Sequence, residues 1–152
     1  MHTVSTDGIA LIQSFESCRL TAYQDIAGIW TIGWGTTRIN GRPVVAGMTL
    51  TQEQADALFH TDVNQVCVEL DPLLTAPQSQ SQIDALVCFC YNVGVGAFKG
   101  STLRRIINAY GTVTEDLFTR WSKVRDPKTG ELVTSAGLLR RRKAEYALYS
   151  RA

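Results

Sequence analysis

Apolar positions Ile9, Ile12 and Phe15 recur at helical spacing behind Ser5 and Thr6, either of which can cap a helix start. They predict a first helix that stops near Cys18. From Leu20 to Val45 the pattern changes. Tyr23, Ile29, Trp30, Thr31, Ile32 and Trp34 are β-formers, interrupted by Gly28, Gly33 and Gly35, and Asn40-Gly41 is a tight-turn pair. This stretch predicts a small antiparallel sheet of two or three strands, which needs helices packed on it to be stable.

The remaining pattern is helical. Thr51-Gln52-Glu53-Gln54 has the form of a capping box. Behind it Ala55, Leu58, Phe59, Val63, Val66, Cys67 and Leu70 form one stripe, ended by Asp71-Pro72. Ile83, Leu86, Val87, Cys90 and Tyr91 predict a deeply buried helix, broken by Asn92-Val93-Gly94-Val95-Gly96. Ser101 opens another, with Leu103, Ile106, Ile107 and Tyr110 on one face and Gly111 as its stop. A short helix is expected around Asp116 to Val124, then a turn-rich loop at Asp126-Pro127-Lys128-Thr129-Gly130, then a last helix from about Ala136 to Tyr149.

The layout predicts an α+β fold with strands confined to the N-terminal third. A single domain is expected over residues 1–152, with a β-rich lobe at about 18–50. A helical lobe at about 60–152 would also take the N-terminal helix. A long helix over Thr51–Leu70 would join the lobes and leave a cleft, the usual place for a substrate.

Composition narrows the classes. The chain has 152 residues, 45% of them apolar and 19% charged, enough for a sizeable core and too apolar for disorder. A net charge of +1 implies no nucleic-acid partner. Cys18, Cys67, Cys88 and Cys90 match no zinc spacing and are expected to be reduced, mostly buried apolar residues. No segment approaches the ~20 apolar residues of a membrane span. Met1-His2-Thr3-Val4-Ser5 has neither a basic nor an apolar leader region.

Candidate chemistry lies in "FESCRLTAYQDIAGIWTIGWGTT", Phe15–Thr37. Glycosidic bonds are commonly cut by two carboxyl groups in different environments, one holding a proton and one ionised. Glu16 falls where an apolar helix ends, so burial there would favour its protonated form. Asp25 falls at a hairpin turn, wetter and rich in N–H donors. Thr31 supplies a hydroxyl on the facing strand. The ordinary alternatives are a surface Glu, a turn-forming Asp and a strand Thr, and spacing alone leaves both readings open.

Glu16, Asp25 and Thr31 in this stretch resemble the Glu–x8–Asp–x5–Thr signature of phage-type lysozymes, glycoside hydrolase family 24. "GMTLTQEQADALF" (Gly47–Phe59), "ALVCFCYNVGVGAFKGSTLRR" (Ala85–Arg105) and "GLLRRRKAEYALY" (Gly137–Tyr149) are similar to later segments of that family, in the same order. The resemblance implies a lysozyme-like fold. It also implies an endolysin that hydrolyses the β-1,4 bond between N-acetylmuramic acid and N-acetylglucosamine in peptidoglycan. Glu16 would be the general acid and Asp25 the second carboxylate, with Thr31 placing the water. Gly35, Thr37, Tyr91 and Asn92 are the sugar-binding candidates. Tyr91 equally fits the buried stripe, and Trp30, Trp34 and Trp121 suit packing better than sugar stacking.

Two positions depart from the family pattern. Thr36 stands where many members carry His, and Ser17 where Gly is typical. Arg140-Arg141-Arg142-Lys143 is expected to be mostly solvated, with the alternative that one arginine turns inward to Glu16 or to a structural acid. No metal or cofactor is implied. The implied partner is peptidoglycan, with no nucleic acid and no stable membrane association, for a monomer held in the host cytoplasm until a holin opens the membrane. Two other readings are a lytic transglycosylase that forms 1,6-anhydro ends and a non-catalytic peptidoglycan-binding module.

Overall fold

A computed structural model describes residues 1–151. The chain divides into two compact units: one takes residues up to Ile9 and from Val66 onward, the other spans Ala10–Gln65. Helix α1 (Thr6–Phe15) forms where the apolar spacing predicts it. Its last turn closes when the Glu16 N–H donates to the Ile12 carbonyl at 3.1 Å.

In the Ala10–Gln65 unit, β1 (Arg19–Gln24) pairs antiparallel with β2 (Trp30–Gly33), with Tyr23 opposite Thr31 and Gln24 opposite Trp30. Strands β3 (Arg38–Ile39) and β4 (Arg42–Pro43) form a second ladder. Asn40 (φ 52°) and Gly41 (φ 76°) make its two-residue turn, the positive φ pair that favours Asn-Gly there. The expected single sheet is thus two separate ladders. The chain folds back after β2, where Ile32 and Thr36 exchange both backbone hydrogen bonds at 2.9 Å. Helix α2 (Gln52–Leu70) starts with the predicted capping box: Thr51 Oγ1 accepts from the Gln54 N–H at 3.1 Å, and Gln54 Oε1 from the Thr51 N–H at 2.9 Å. Ile12, Ile32, Val44, Ala55, Phe59 and Val63 are this unit's buried apolar residues.

The other unit is built around α3 (Gln80–Val93), in which every residue from Ile83 to Cys90 is buried. A second capping box, Ser79 with Gln82, opens it. Its Phe89 ring meets Phe98, Phe118 and Trp121 edge-on at centroid distances of 6.3, 5.6 and 5.8 Å, so Trp121 is a packing residue. Asp84 on α3 is 2% exposed and holds the start of α1. Its Oδ1 accepts from the Ser5 N–H and from Gln80 Nε2, each at 2.9 Å, and its Oδ2 from the Ser5 hydroxyl.

Several boundaries differ from the sequence reading. Asp71–Leu73 continues past α2 as a 3-10 turn, because Pro72 fits the first turn of a helix. Helix α3 runs to Val93 and α4 (Val95–Lys99) restarts after one residue, Gly94 at φ 92°, so the break is one residue rather than five. Helix α5 (Thr102–Asn108) ends before Tyr110, which sits at φ 57° and is exposed. Helix α6 covers only Asp116–Thr119.

Strands β5 (Lys123–Arg125) and β6 (Leu132–Thr134) follow, so strands are not confined to the N-terminal third. β-Branched Val124 and Val133 face each other there. The Asp126–Gly130 loop closes the hairpin: the Gly130 N–H donates to the Asp126 carbonyl and the Asp126 N–H to the Glu131 carbonyl, both at 2.8 Å.

Helix α7 (Ala136–Tyr149) packs on α3. Within the basic run Arg140 and Lys143 are exposed, but Arg141 and Arg142 are buried, so the mostly solvated reading fails for two of the four. Both reach Glu145: Arg141 Nε lies 3.2 Å from Oε2, and Arg142 Nε 3.1 Å from Oε1. Consecutive helix positions diverge by only ~100°. Two adjacent residues can therefore share one buried face while their neighbours on either side stay in water. Burial raises the Glu145 pKa against the pull of Arg142 and Arg141.

All four cysteines are free thiols; Cys67, Cys88 and Cys90 are buried and Cys18 is half-buried. Among the described residues no helix is long and apolar enough to cross a membrane.

Candidate active site

Glu16 is the first residue beyond α1 and is half-buried. Asp25 leaves β1 at the hairpin turn, as the sequence predicts. Its carbonyl accepts from the Gly28 N–H, and its side-chain Oδ1 from the Ile29 N–H, both at 2.9 Å. The turn thus fixes one carboxylate oxygen, while the residue itself is exposed. Thr31 on β2 is only 5% exposed. Its hydroxyl donates to the Ile29 carbonyl at 3.0 Å. With its proton so committed, Thr31 Oγ1 is left to act as an acceptor.

Tyr23 links these groups, and the sequence reading did not single it out. It sits directly opposite Thr31 in the ladder and two residues before Asp25. Direct pairing therefore puts the Tyr23 and Thr31 side chains on one face of the ladder. The Arg19 guanidinium stacks 4.2 Å from the Tyr23 ring centroid. Burial raises the Tyr23 pKa; Arg19 opposes the rise, and the charges of Glu16 and then Asp25 add to it. The position of Tyr23, two before Asp25 on an alternating strand, is the signal by which sequence could have found it.

Of the sugar-binding candidates, Gly35 lies in the turn after β2 at φ 113°, with its N–H donating to the Ile32 carbonyl at 3.3 Å. Thr37 is exposed, and its carbonyl accepts from the Val44 N–H at 2.9 Å. Tyr91 (half-buried) and Asn92 (exposed) lie near the end of α3, in the other unit. The Asn92 Oδ1 accepts a hydrogen bond from Arg142 Nη2. Trp34 packs on α2, its ring 5.8 Å from Phe59 and its Nε1 donating to Asp56 Oδ1 at 2.8 Å. At the departure from the family pattern, the buried Thr36 hydroxyl donates to Asp62 Oδ2 at 2.6 Å and ties the turn after β2 to α2. Among the described residues no three His, Cys, Asp or Glu side chains gather as a metal site.

Asp25 and Thr31 lie on one short hairpin and Glu16 at the end of the helix that precedes it in the chain; two carboxyl groups and a hydroxyl acceptor are the kinds of group used in acid–base cleavage of a glycosidic bond. The family model described as phage lysozyme matches residues 13–145. The chain is 38% identical to the endolysin of Acyrthosiphon pisum secondary endosymbiont phage 1, over 100% of both chains. Among solved structures it is similar to the endolysin from Escherichia coli O157:H7 phage FAHEc1, at 39% identity and TM-score 0.87, covering 98% of this chain and 94% of that one. The muramidase domain of SpmX from Asticaccaulis excentricus is 33% identical, with TM-score 0.87 and full coverage of both chains. The chain therefore belongs to the phage lysozyme family.

Proposed function

We propose that this glycoside hydrolase is a phage muramidase that lyses the host cell wall by hydrolysing the β-1,4 bond between N-acetylmuramic acid and N-acetylglucosamine. The observation that supports the assignment of residues is the hairpin geometry: the turn fixes Asp25 Oδ1 through the Ile29 N–H, and Thr31 on the facing strand has its own proton held by the Ile29 carbonyl. Glu16 is the general acid that protonates the leaving glycosidic oxygen. Asp25 activates the attacking water or stabilises the oxocarbenium-like state. A water that donates one hydrogen to Thr31 Oγ1 and the other to Asp25 keeps a lone pair free for the anomeric carbon. Thr31 is suited to this because its own proton is held by the Ile29 carbonyl.

Gly35, Thr37, Tyr91 and Asn92 are proposed to contact the sugar chain. The protein acts as a monomer, as a single catalytic domain, and reaches the wall when a holin opens the membrane. The test is Glu16→Gln, which keeps size and shape. Loss of a general acid typically costs about 10²–10⁴-fold. The variant is expected to keep the wild-type circular dichroism spectrum and lose lysis of outer-membrane-permeabilised cells. Near-wild-type lysis would remove Glu16 from the acid role.

A further inference from the structure

Arg142 and Glu145 are both 0% exposed, on a helix whose contact with α3 apolar side chains could also make. A buried ion pair is poor value as a stability device, since desolvation offsets much of its attraction. What Arg142 does besides pairing is therefore informative. Its guanidinium carbon lies 4.9 Å from the Phe89 ring centroid, which fixes the plane of the fork. Its Nε faces Glu145 without an aligned hydrogen bond, and its Nη1 has no hydrogen-bond partner among the described residues. Its Nη2 donates to Asn92 Oδ1.

A guanidinium only donates. The atom of Asn92 that faces it must be the oxygen, so the amide cannot flip, and Nδ2 is turned away from Arg142. Asn92 is exposed in the last turn of α3, and no group among the described residues accepts from Nδ2. The buried charge thus converts an ambivalent amide into an oriented donor.

We propose that Arg142 is a positioning residue that holds Asn92 as a hydrogen-bond donor to the carbonyl oxygen of a 2-acetamido group on the glycan. A sugar hydroxyl can donate or accept and would serve either amide orientation, whereas an acetamido carbonyl only accepts. Pinning the amide therefore selects for the substituent that both sugars of peptidoglycan carry. This rests on the muramidase reading for the identity of the polymer.

The test compares soluble uncrosslinked peptidoglycan strands with the same strands after de-N-acetylation. Binding is measured in the Glu16→Gln background and turnover with Glu16 intact. Asn92→Asp keeps a partner for Arg142 but removes the donor. It is expected to weaken binding of acetylated strands about tenfold, the scale of one net hydrogen bond. It is also expected to reverse the preference, because a carboxylate accepts from the amine of de-N-acetylated strands. Arg142→Met removes the guanidinium that orients Asn92 and leaves Glu145 paired with Arg141. This variant should reproduce the loss on acetylated strands, with no further loss when Asn92→Ala is added. A folded Asn92→Asp protein with unchanged binding, or with equal loss on both strands, overturns the proposal. Acetamido-selective binding without cleavage by the wild type would defeat the muramidase reading and leave the Arg142 role standing. Full cleavage without that selectivity would do the opposite.

Discussion

Thr36→Val is the substitution whose consequences the structure defines most closely. It removes one oxygen and its proton from a nearly isosteric side chain that is 1% exposed. The lost bond is the 2.6 Å contact to Asp62 Oδ2, which fastens the turn after β2, and so the strand carrying Thr31, to α2. A hydrogen bond to a charged group is worth roughly 1.5–3 kcal/mol, and to a neutral one about 1 kcal/mol. Burial raises the Asp62 pKa above its ordinary 3.8, with the Thr36 hydrogen bond opposing the rise. An acid whose folded pKa is raised favours the fold fully below its unfolded value, and that contribution is lost as pH rises through the folded value. Without Thr36 the folded pKa rises further, so the penalty is largest when Asp62 is ionised.

Denaturant unfolding of Thr36→Val should thus show a loss of about 2 kcal/mol at pH 7 and about 1 kcal/mol or less at pH 3.5. At pH 7 this corresponds to a melting temperature lower by roughly 4–8 °C. Asp62→Asn keeps an acceptor for Thr36 and removes the charge, so it should be no less stable than the wild type at pH 7. Equal losses for Thr36→Val at both pH values, or a larger loss in acid, would refute the reasoning.

Three further outcomes are expected. A Cβ at Gly8 would stand 2.5 Å from Val4 Cγ1 and 2.8 Å from Asp84 Cγ, so Gly8→Ala should disturb the Asp84 clamp on α1 and lower stability by about 1–3 kcal/mol in the same unfolding assay. Thr31→Val should lower kcat on peptidoglycan by up to about 10²-fold with a smaller change in KM, because a misplaced water is felt in the chemical step; a change confined to KM would remove Thr31 from that role. A thiol reagent should modify Cys18 in the native protein, and Cys67, Cys88 and Cys90 only on unfolding, because burial raises the pKa of all three and hides their sulfurs.

Local signals proved the most legible part of the chain. The capping box at Thr51, the Asn40-Gly41 turn and the stripe of α3 each follow from a few neighbouring residues, and each formed as read. Harder to see were features set by long-range partners. The β5–β6 hairpin was missed because its strands are three residues each and show no buried face, leaving no alternation to detect. The inward turn of Arg141 and Arg142 depends on Glu145 and on Phe89 and Asn92 of α3, and a charge run in sequence carries no sign of those partners. Of the candidate site, Glu16, Asp25 and Thr31 came from spacing joined to family resemblance. The nearness of Tyr23 to Asp25 is legible in sequence, but its place opposite Thr31 is set by the strand register.

The most direct measurement of the central claim is mass spectrometry of the fragments released from purified peptidoglycan by the wild type, with Glu16→Gln as control. The account predicts muropeptides ending in reducing N-acetylmuramic acid, absent from the control. Products ending in 1,6-anhydro rings would contradict the water-directing roles of Asp25 and Thr31, and no products from the wild type would contradict hydrolysis altogether.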